Sequence, residues 1–471
     1  MLIGRVEEIY QLEEAYTSSE SEFVAIYGRR RIGKTYLVRE TLHDRFTFFH
    51  AGVSKLPAKG QLKAFYNSLV NHGYTPPSIP KNWLDAFHHL SMFLDKSADG
   101  KKVVFLDELP WMDTPKSDFL PAFEHFWNGW ASARKDILLI VCGSATSWII
   151  KNIVHNHGGL HNRLSRSIRL KQFTLSECEQ YATSLHMKMT RPQIIEAYMI
   201  FGGIPYYWSK LDHRFSLAQN IDRMFFTDNA IFKSEFDDLY ASLFKRPEPY
   251  LKIISALGKK KVGMTIEEIS ESTLLPRNGP LTKYLTDLEA CGFIRLYSSY
   301  GNRVKGTVYQ LIDNFTLFYY RFLSSKKISD EGYWTKIQTS STYSNWCGLS
   351  FERVCLLHIK QIKKALSIGG ILSNEFAWRT PPYADLPGVE IDLLIERADK
   401  VFNLCEMKFT KSPFIIDKKY AAVLQNKVAR LRDVTKTRNA IFLTMISASG
   451  LTSNEYANEV QNVLTADDLF D

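Results

Sequence analysis

One stretch, GRRRIGKT over residues 28–35, limits what this chain can fold into more than any other. It follows the apolar run at residues 23–27 and leads into a segment with helical spacing, residues 34–42, whose apolar side is expected at Tyr36, Leu37 and Val38. Strand, loop and helix in that order predict a buried parallel strand with the loop at its carboxyl end. Gly28 and Gly33 let the backbone curl, so that N–H groups from Arg31, Ile32, Gly33 and Tyr36 point at phosphate oxygens. Lys34 would then reach the terminal phosphates, and the Thr35 hydroxyl would coordinate Mg²⁺.

Such a site needs a carboxylate on a neighbouring strand. The run KKVVFLDELPWMD supplies Asp107 and Glu108 at the end of an apolar strand, 73 residues after Lys34. Ligands of open α/β sheets bind at that edge. Asp107 is expected to hold Mg²⁺ through water, and Glu108 to polarise the attacking water. A third apolar run, residues 136–146, leaves through Ser144 and Thr146, where a side chain can sense the γ-phosphate. Beyond it, GGLHNRLSRSIRL offers Arg163 and Arg166 as arginine-finger candidates.

These residues resemble the P-loop ATPases of the AAA+ and STAND kind, specifically the archaeal-type ATPases found across prokaryotes. The likeness spans about the first half of the chain, with LIGRVEEIYQLEEAY, GRRRIGKT, FLDELPWM, CGSAT and LHNRLSRS in the family's order. It implies ATP as the nucleotide and a Gly-Ile-Pro lid motif at YMIFGGIPYYW, with Pro205 packed near the base and ribose. Read without the likeness, Gly202 to Pro205 is a helix stop and a turn. The opening departs at Leu2, where the family often has an aromatic residue. A basic loop is usual in the family; Arg29, Arg30 and Arg31 are available to neutralise triphosphate or to pair with acids on the next strand, and none is given a catalytic role.

Length requires more than this. At 471 residues the chain is too long for one core, and three or four domains are expected. Its 59 Lys and Arg against 50 Asp and Glu give +9, which permits a polyanionic partner without demanding one. The six cysteines are far apart, with no CxxC or Cys/His cluster, and read as buried free thiols in a reducing compartment. No run of eighteen apolar residues is present, so no membrane span is expected, and the chain reads as cytoplasmic.

From about residue 247 the pattern changes to helix, turn, helix, turn, helix and hairpin. Thr265 with Glu268 is placed like a capping box, Leu281, Leu285 and Leu288 have helical spacing, and two strands flank Gly301-Asn302. This resembles a winged helix-turn-helix. The likeness implies a third helix offering Asn278, Thr282, Lys283 and Asp287 to DNA, with Arg303 and Lys305 on phosphates. A winged helix serving only as a lid or packing module is the plainer alternative.

In the last third, EIDLLIE and KVFNLCEMKFT alternate as two strands around a turn at residues 397–400. Glu406 and Lys408 then project together, with Asp392 on the paired strand. Two carboxylates and a lysine on adjoining strands can hold a divalent metal and position water for attack on a phosphodiester, though a surface ion pair across a hairpin is the ordinary reading. An amphipathic helix at residues 349–366 places Glu352 near its start. The set Glu352, Asp392, Glu406 and Lys408 resembles the PD-(D/E)XK nuclease fold, which implies Mg²⁺ or Mn²⁺ at Glu352, Asp392 and Glu406, with Glu406 and Lys408 in catalysis.

The expected organisation is therefore α/β and multidomain: a P-loop ATPase core with a parallel sheet at 1–170, a helical lid at 171–240, a winged helix at 241–325 and a restriction-endonuclease-like α/β domain at 340–471. The expected activity is ATP hydrolysis, with nucleotide state controlling a DNA-directed nuclease. The alternative is a STAND-type switch that binds DNA through the winged helix beside a non-catalytic carboxyl-terminal domain. An arginine finger at Arg163 would imply a homo-oligomer.

Overall fold

A computed structural model of the protein describes residues 2–156, 158–298, 300, 307–324, 332–380, 382 and 387–471. The chain divides into two units, Met1–Gln172 and Phe173–Asp471.

The first unit is built on five strands: β1 (Glu22–Tyr27), β2 (Phe46–Ala51), β3 (Lys102–Asp107), β4 (Ile137–Gly143) and β5 (Arg166–Arg169). They form one parallel sheet in the order β2-β3-β4-β1-β5. Every residue of β1, β3 and β4 is buried, which is why these strands read as unbroken apolar runs rather than alternating ones. Phe23, Phe87, Phe119, Phe123, Phe126 and Trp127 fill one side of the sheet. The helix Lys34–Leu42 buries Lys34, Leu37, Val38, Thr41 and Leu42. Tyr36 does not share that face: it is 49% exposed, because a stripe at intervals of three and four residues passes it by.

The second unit begins with helices Leu175–Ser184, Arg191–Phe201 and Pro205–Trp208. Gly202 stops the middle one at φ 59, ψ −164, a conformation open essentially to glycine alone. The Phe173 N–H donates to the Gly203 carbonyl at 2.7 Å, and the Trp208 indole N–H to that of Gly202 at 2.7 Å. Three helices follow, Glu248–Gly258, Ile266–Thr273 and Gly279–Ala290, then the antiparallel pair β6 (Ile294–Ser298) and β7 (Thr307–Leu311). The Thr265 and Glu268 side chains cap the second of these helices reciprocally.

Two residues expected to face DNA are used internally. The Asp287 carboxylate is buried and accepts from the Tyr250 hydroxyl at 2.6 Å, and the Asn278 side chain caps its own helix by accepting from the Leu281 N–H. Thr282 and Lys283 remain exposed. Arg303 and Lys305 lie outside the described residues.

The unit ends in a second sheet: β8 (Ser373–Thr380), β9 (Val389–Arg397), β10 (Val401–Lys408), β11 (Ala440–Ser447) and β12 (Asn462–Thr465), in the order β12-β11-β10-β9-β8. β10, β11 and β12 run parallel; β8, β9 and β10 run antiparallel. The helix Lys418–Thr435 lays Ala421, Leu424 and Leu431 against Leu394, Phe402, Leu404 and Leu443. The helix carrying Glu352 spans Ser341–Leu357, so Glu352 stands in its second half rather than near its start. It breaks at His358 before a separate helix, Ile359–Ala365. Ser340 caps the true start by accepting from the Tyr343 N–H at 3.2 Å, a polar signal upstream of the apolar stripe.

Two buried histidines give the fold an acid limit. His50 bonds Ser68, while His358 accepts from the Leu175 N–H and donates to the Val354 carbonyl; both are lowered to about 4, chiefly by burial. Their folded pKa values lie below the unfolded value, so the unfolded chain binds more protons between about pH 6.5 and 4 and stability falls with pH there. Each histidine is worth about 3 kcal/mol over that window, present in full above about pH 6.5. Urea midpoints at pH 7.5 and 5 are expected to differ, with a shallower decline in His358→Gln.

Candidate functional site

The carboxyl ends of β1, β3 and β4 bring one constellation together. Gly28 leaves β1 at φ 149, and a Cβ there would lie 2.5 Å from the Leu170 carbonyl oxygen; Gly33 caps the helix at φ 92. Neither position tolerates a side chain, so the loop can turn tightly enough to aim its backbone N–H groups inward.

Lys34 is buried at 5% exposure and donates to the carbonyls of Gly28 (3.0 Å) and Arg29 (3.1 Å) and to Ser144 Oγ (3.3 Å). Thr35 Oγ1 donates to Asp107 Oδ2 at 2.7 Å. The other oxygen of Asp107 accepts from the Glu108 N–H (2.8 Å) and from the Cys142 thiol (2.7 Å). Glu108 takes a left-handed backbone conformation at φ 47, and its carboxylate accepts from the Ser144 N–H (3.0 Å) and hydroxyl (2.5 Å). Lys34, Thr35, Asp107, Glu108 and Ser144 are thus one hydrogen-bonded set, assembled because β4 lies between β1 and β3.

Cys142 belongs to this set and was legible only as an apolar strand residue. Burial and the Asp107 charge push its thiol well above the ordinary range, so it stays protonated and serves as a donor rather than a nucleophile. Thr146 is fully buried, its hydroxyl near the Ser144 carbonyl, which leaves Ser144 as the polar side chain facing Lys34 at this strand exit.

Both arginine candidates lie away from the phosphate loop. Arg166 opens β5, where it pairs with Glu22 at 2.6 Å and Glu14 at 3.2 Å. Glu22 starts β1, so Arg166 stands at the opposite end of the strands from the phosphate loop and cannot act as a finger on it. Arg163 is exposed, two residues before the Ser165 N–H that bonds the Phe23 carbonyl, at that same far end.

In the second unit, β10 carries Glu406 and Lys408 on one face, as alternation predicted, with an ion pair of 3.1 Å. Glu406 also accepts from Tyr420 (2.6 Å) and pairs with Lys427 (2.7 Å), both on the helix Lys418–Thr435. Burial would raise this carboxyl, but Lys427, Lys408 and the Tyr420 hydroxyl outweigh it and hold it lowered. Tyr420 and Lys427 are seven apart, two helical turns, and that spacing was the signal that could have found them.

Glu352 and Asp392 have a different partner. Asp392 sits in a β-bulge, where Phe376 pairs with Leu394 but Trp378 pairs with Ile391. The extra residue breaks the alternation and re-aims the side chain. Glu352, Glu390 and Asp392 share the ammonium of Lys261, at 3.0, 3.9 and 3.4 Å. Among the described residues no three His, Cys, Asp or Glu side chains gather as metal ligands would. The expected metal set of Glu352, Asp392 and Glu406 is therefore not assembled, because lysines claim its members separately.

Comparison with known proteins agrees with the first unit. Residues 2–211 match the sequence family described as "ATPase domain predominantly from Archaea". Protein MJECL04 of Methanocaldococcus jannaschii is 26% identical over 369 residues, 77% of this chain and 78% of that one. The ATP-binding protein MJ0423 of the same organism is 36% identical over 45 residues, 10% of this chain and 76% of that one. The Walker-type ATPase paby2304 of Pyrococcus abyssi aligns at TM-score 0.49 and 15% identity, over 67% of this chain and 95% of that one. No helix among the described residues is long and apolar enough to cross a membrane. The phosphate loop, the acid pair and the family match fall in one place, and the amino-terminal part of this chain is similar to archaeal-type P-loop ATPase domains.

Proposed function

We propose that the chain is an ATP-driven switch whose nucleotide state is relayed to a DNA-facing second unit. The contact of Thr35 with Asp107, beside Lys34 and the Glu108–Ser144 pair, carries this reading. A hydroxyl and a carboxylate already touching fit Mg²⁺, which Thr35 would hold directly and Asp107 through water; the metal supplies charge neutralisation on the phosphates. Lys34 would exchange its carbonyl partners for β- and γ-phosphate oxygens, a gain in charge-assisted bonding. Glu108 would take the proton of the attacking water, and Ser144, bonded to both Glu108 and Lys34, would register whether a γ-phosphate is present. Pro205 and its Gly-Ile-Pro turn would close on the base, and an exposed Arg163 would serve a neighbouring copy.

For the second unit, three helices and a hairpin at residues 241–325 suit a winged helix, and the exposed Thr282 and Lys283 suit phosphate contact more than base reading. The nuclease-like reading of residues 340–471 is favoured by one observation: Glu406 and Lys408 project together from β10. The acids as arranged do not fit a metal, so no cleavage step is derived. The test is ATP turnover with and without plasmid or single-stranded DNA, with product gels in Mg²⁺ and Mn²⁺. DNA-stimulated turnover with intact DNA supports the switch alone; turnover indifferent to DNA defeats the DNA-facing reading.

A further inference from the structure

β3 and β4 pair in parallel with Leu106 opposite Val141, and both of these residues face the buried core on one side of the sheet. Alternation puts the next two, Asp107 and Cys142, side by side on the other face. Cys142 is fully buried, and on its other flank it pairs with Ile26, two residues before Gly28. It therefore stands between the strand that presents the acid pair and the strand that leads into the phosphate loop. Its thiol donates to Asp107 Oδ1 at 2.7 Å, and the Glu108 N–H donates to the same oxygen at 2.8 Å. Oδ2 accepts from the Thr35 hydroxyl at 2.7 Å. The two oxygens have separate duties: one is fastened to the sheet, and the other faces the loop.

We propose that Cys142 is a positioning residue for the magnesium nucleotide: its thiol fixes which oxygen of Asp107 is turned toward Thr35. The last torsion of an aspartate is broad and nearly two-fold, so nothing within Asp107 itself selects an oxygen. Two donors on Oδ1 make that selection, and a carboxylate already held in place need not be ordered when the ligand binds. A thiol is a weak donor, so it orients the carboxylate while leaving most of its charge for a cation. Groups that orient a metal-binding side chain without touching the metal are worth about 10–100-fold in metal affinity. The proposal rests on reading Thr35 and Asp107 as the Mg²⁺ site, and adds to that reading the part played by Cys142.

The test measures equilibrium binding of a fluorescent, non-hydrolysable ATP analogue to the full chain, once in excess EDTA and once in Mg²⁺. The ratio of the two dissociation constants reads how much Mg²⁺ adds to nucleotide affinity, with no turnover involved. Cys142→Ala is expected to cut that ratio about tenfold or more, while affinity in EDTA stays at the parent value. Cys142→Ser should restore it, since serine and alanine leave similar space and differ in the donor. A purely structural loss would instead weaken binding in EDTA and spare the ratio. Cys142→Val fills the space and donates nothing; it should repeat the alanine result, and it decides the matter if alanine does not fold. A parent-like ratio in Cys142→Ala or Cys142→Val, or an alanine-like ratio in Cys142→Ser, overturns the proposal and leaves the Mg²⁺ site standing. A parent whose nucleotide affinity is indifferent to Mg²⁺ overturns the reading of the site, and the proposal with it.

Discussion

Lys34→Ala is expected to remove ATP turnover, and Glu108→Gln to lower kcat by about 10²–10³-fold while ATP still binds. The two variants fail differently. Lys34 has no carboxylate partner in the loop: it is held by the carbonyls of Gly28 and Arg29 and by Ser144. Those are neutral acceptors, so the buried cation gains strongly when phosphate oxygens replace them, and its loss removes binding and catalysis together. Glu108 holds Ser144 through both its N–H and its hydroxyl, so glutamine keeps one acceptor and the fold but loses the charge that would take a proton. Equilibrium binding of a fluorescent ATP analogue, set against phosphate release, separates the cases. Wild-type turnover in Glu108→Gln would remove Glu108 from the chemistry.

Gly203→Ala is expected to be the most damaging single methyl in the second unit. A Cβ on Gly203 would lie 1.9 Å from the Phe173 carbonyl oxygen and 2.6 Å from its nitrogen. These are backbone atoms of a segment tied down by the Phe173–Gly203 hydrogen bond and by Tyr198, whose hydroxyl donates to the same carbonyl at 2.9 Å. No flexible side chain can yield, so the two strands of chain must separate, at about 3 kcal/mol or more. Against a typical domain stability of about 5–15 kcal/mol that is a large fraction. The urea midpoint of Gly203→Ala should fall sharply; a midpoint matching the parent would mean the close approach is relieved at no cost.

The ATPase half was legible because its signals are local. The glycines of the phosphate loop are demanded by the backbone at their own positions, and the acid pair follows the strand that presents it. Periodicity erred at Tyr36, where three adjacent apolar residues cannot all share one helical face. It erred again at Glu352, whose helix begins at Ser341 in a stretch mixing serine, asparagine and aromatics. Arg166 looked like a finger because it stands in a basic run, and only strand pairing put it beside Glu22, at the wrong end of the sheet.

In the second unit Glu406 and Lys408 followed from alternation along β10, whereas Asp392 did not, since a bulge in β9 changes the face its side chain takes. Lys261 gave no sign of its role: it is the last of three consecutive lysines, and nothing in KKK distinguishes a solvated side chain from a buried one. What the amino-acid order determines alone is the phosphate loop, its acid pair and the strand and helix that hold them, because each depends on backbone within a few residues. Which acids meet which lysines was decided only by the tertiary structure. Ion pairing joins residues 91 and 131 positions apart, Lys261 to Glu352 and Asp392, and such separations leave no periodic trace in a sequence.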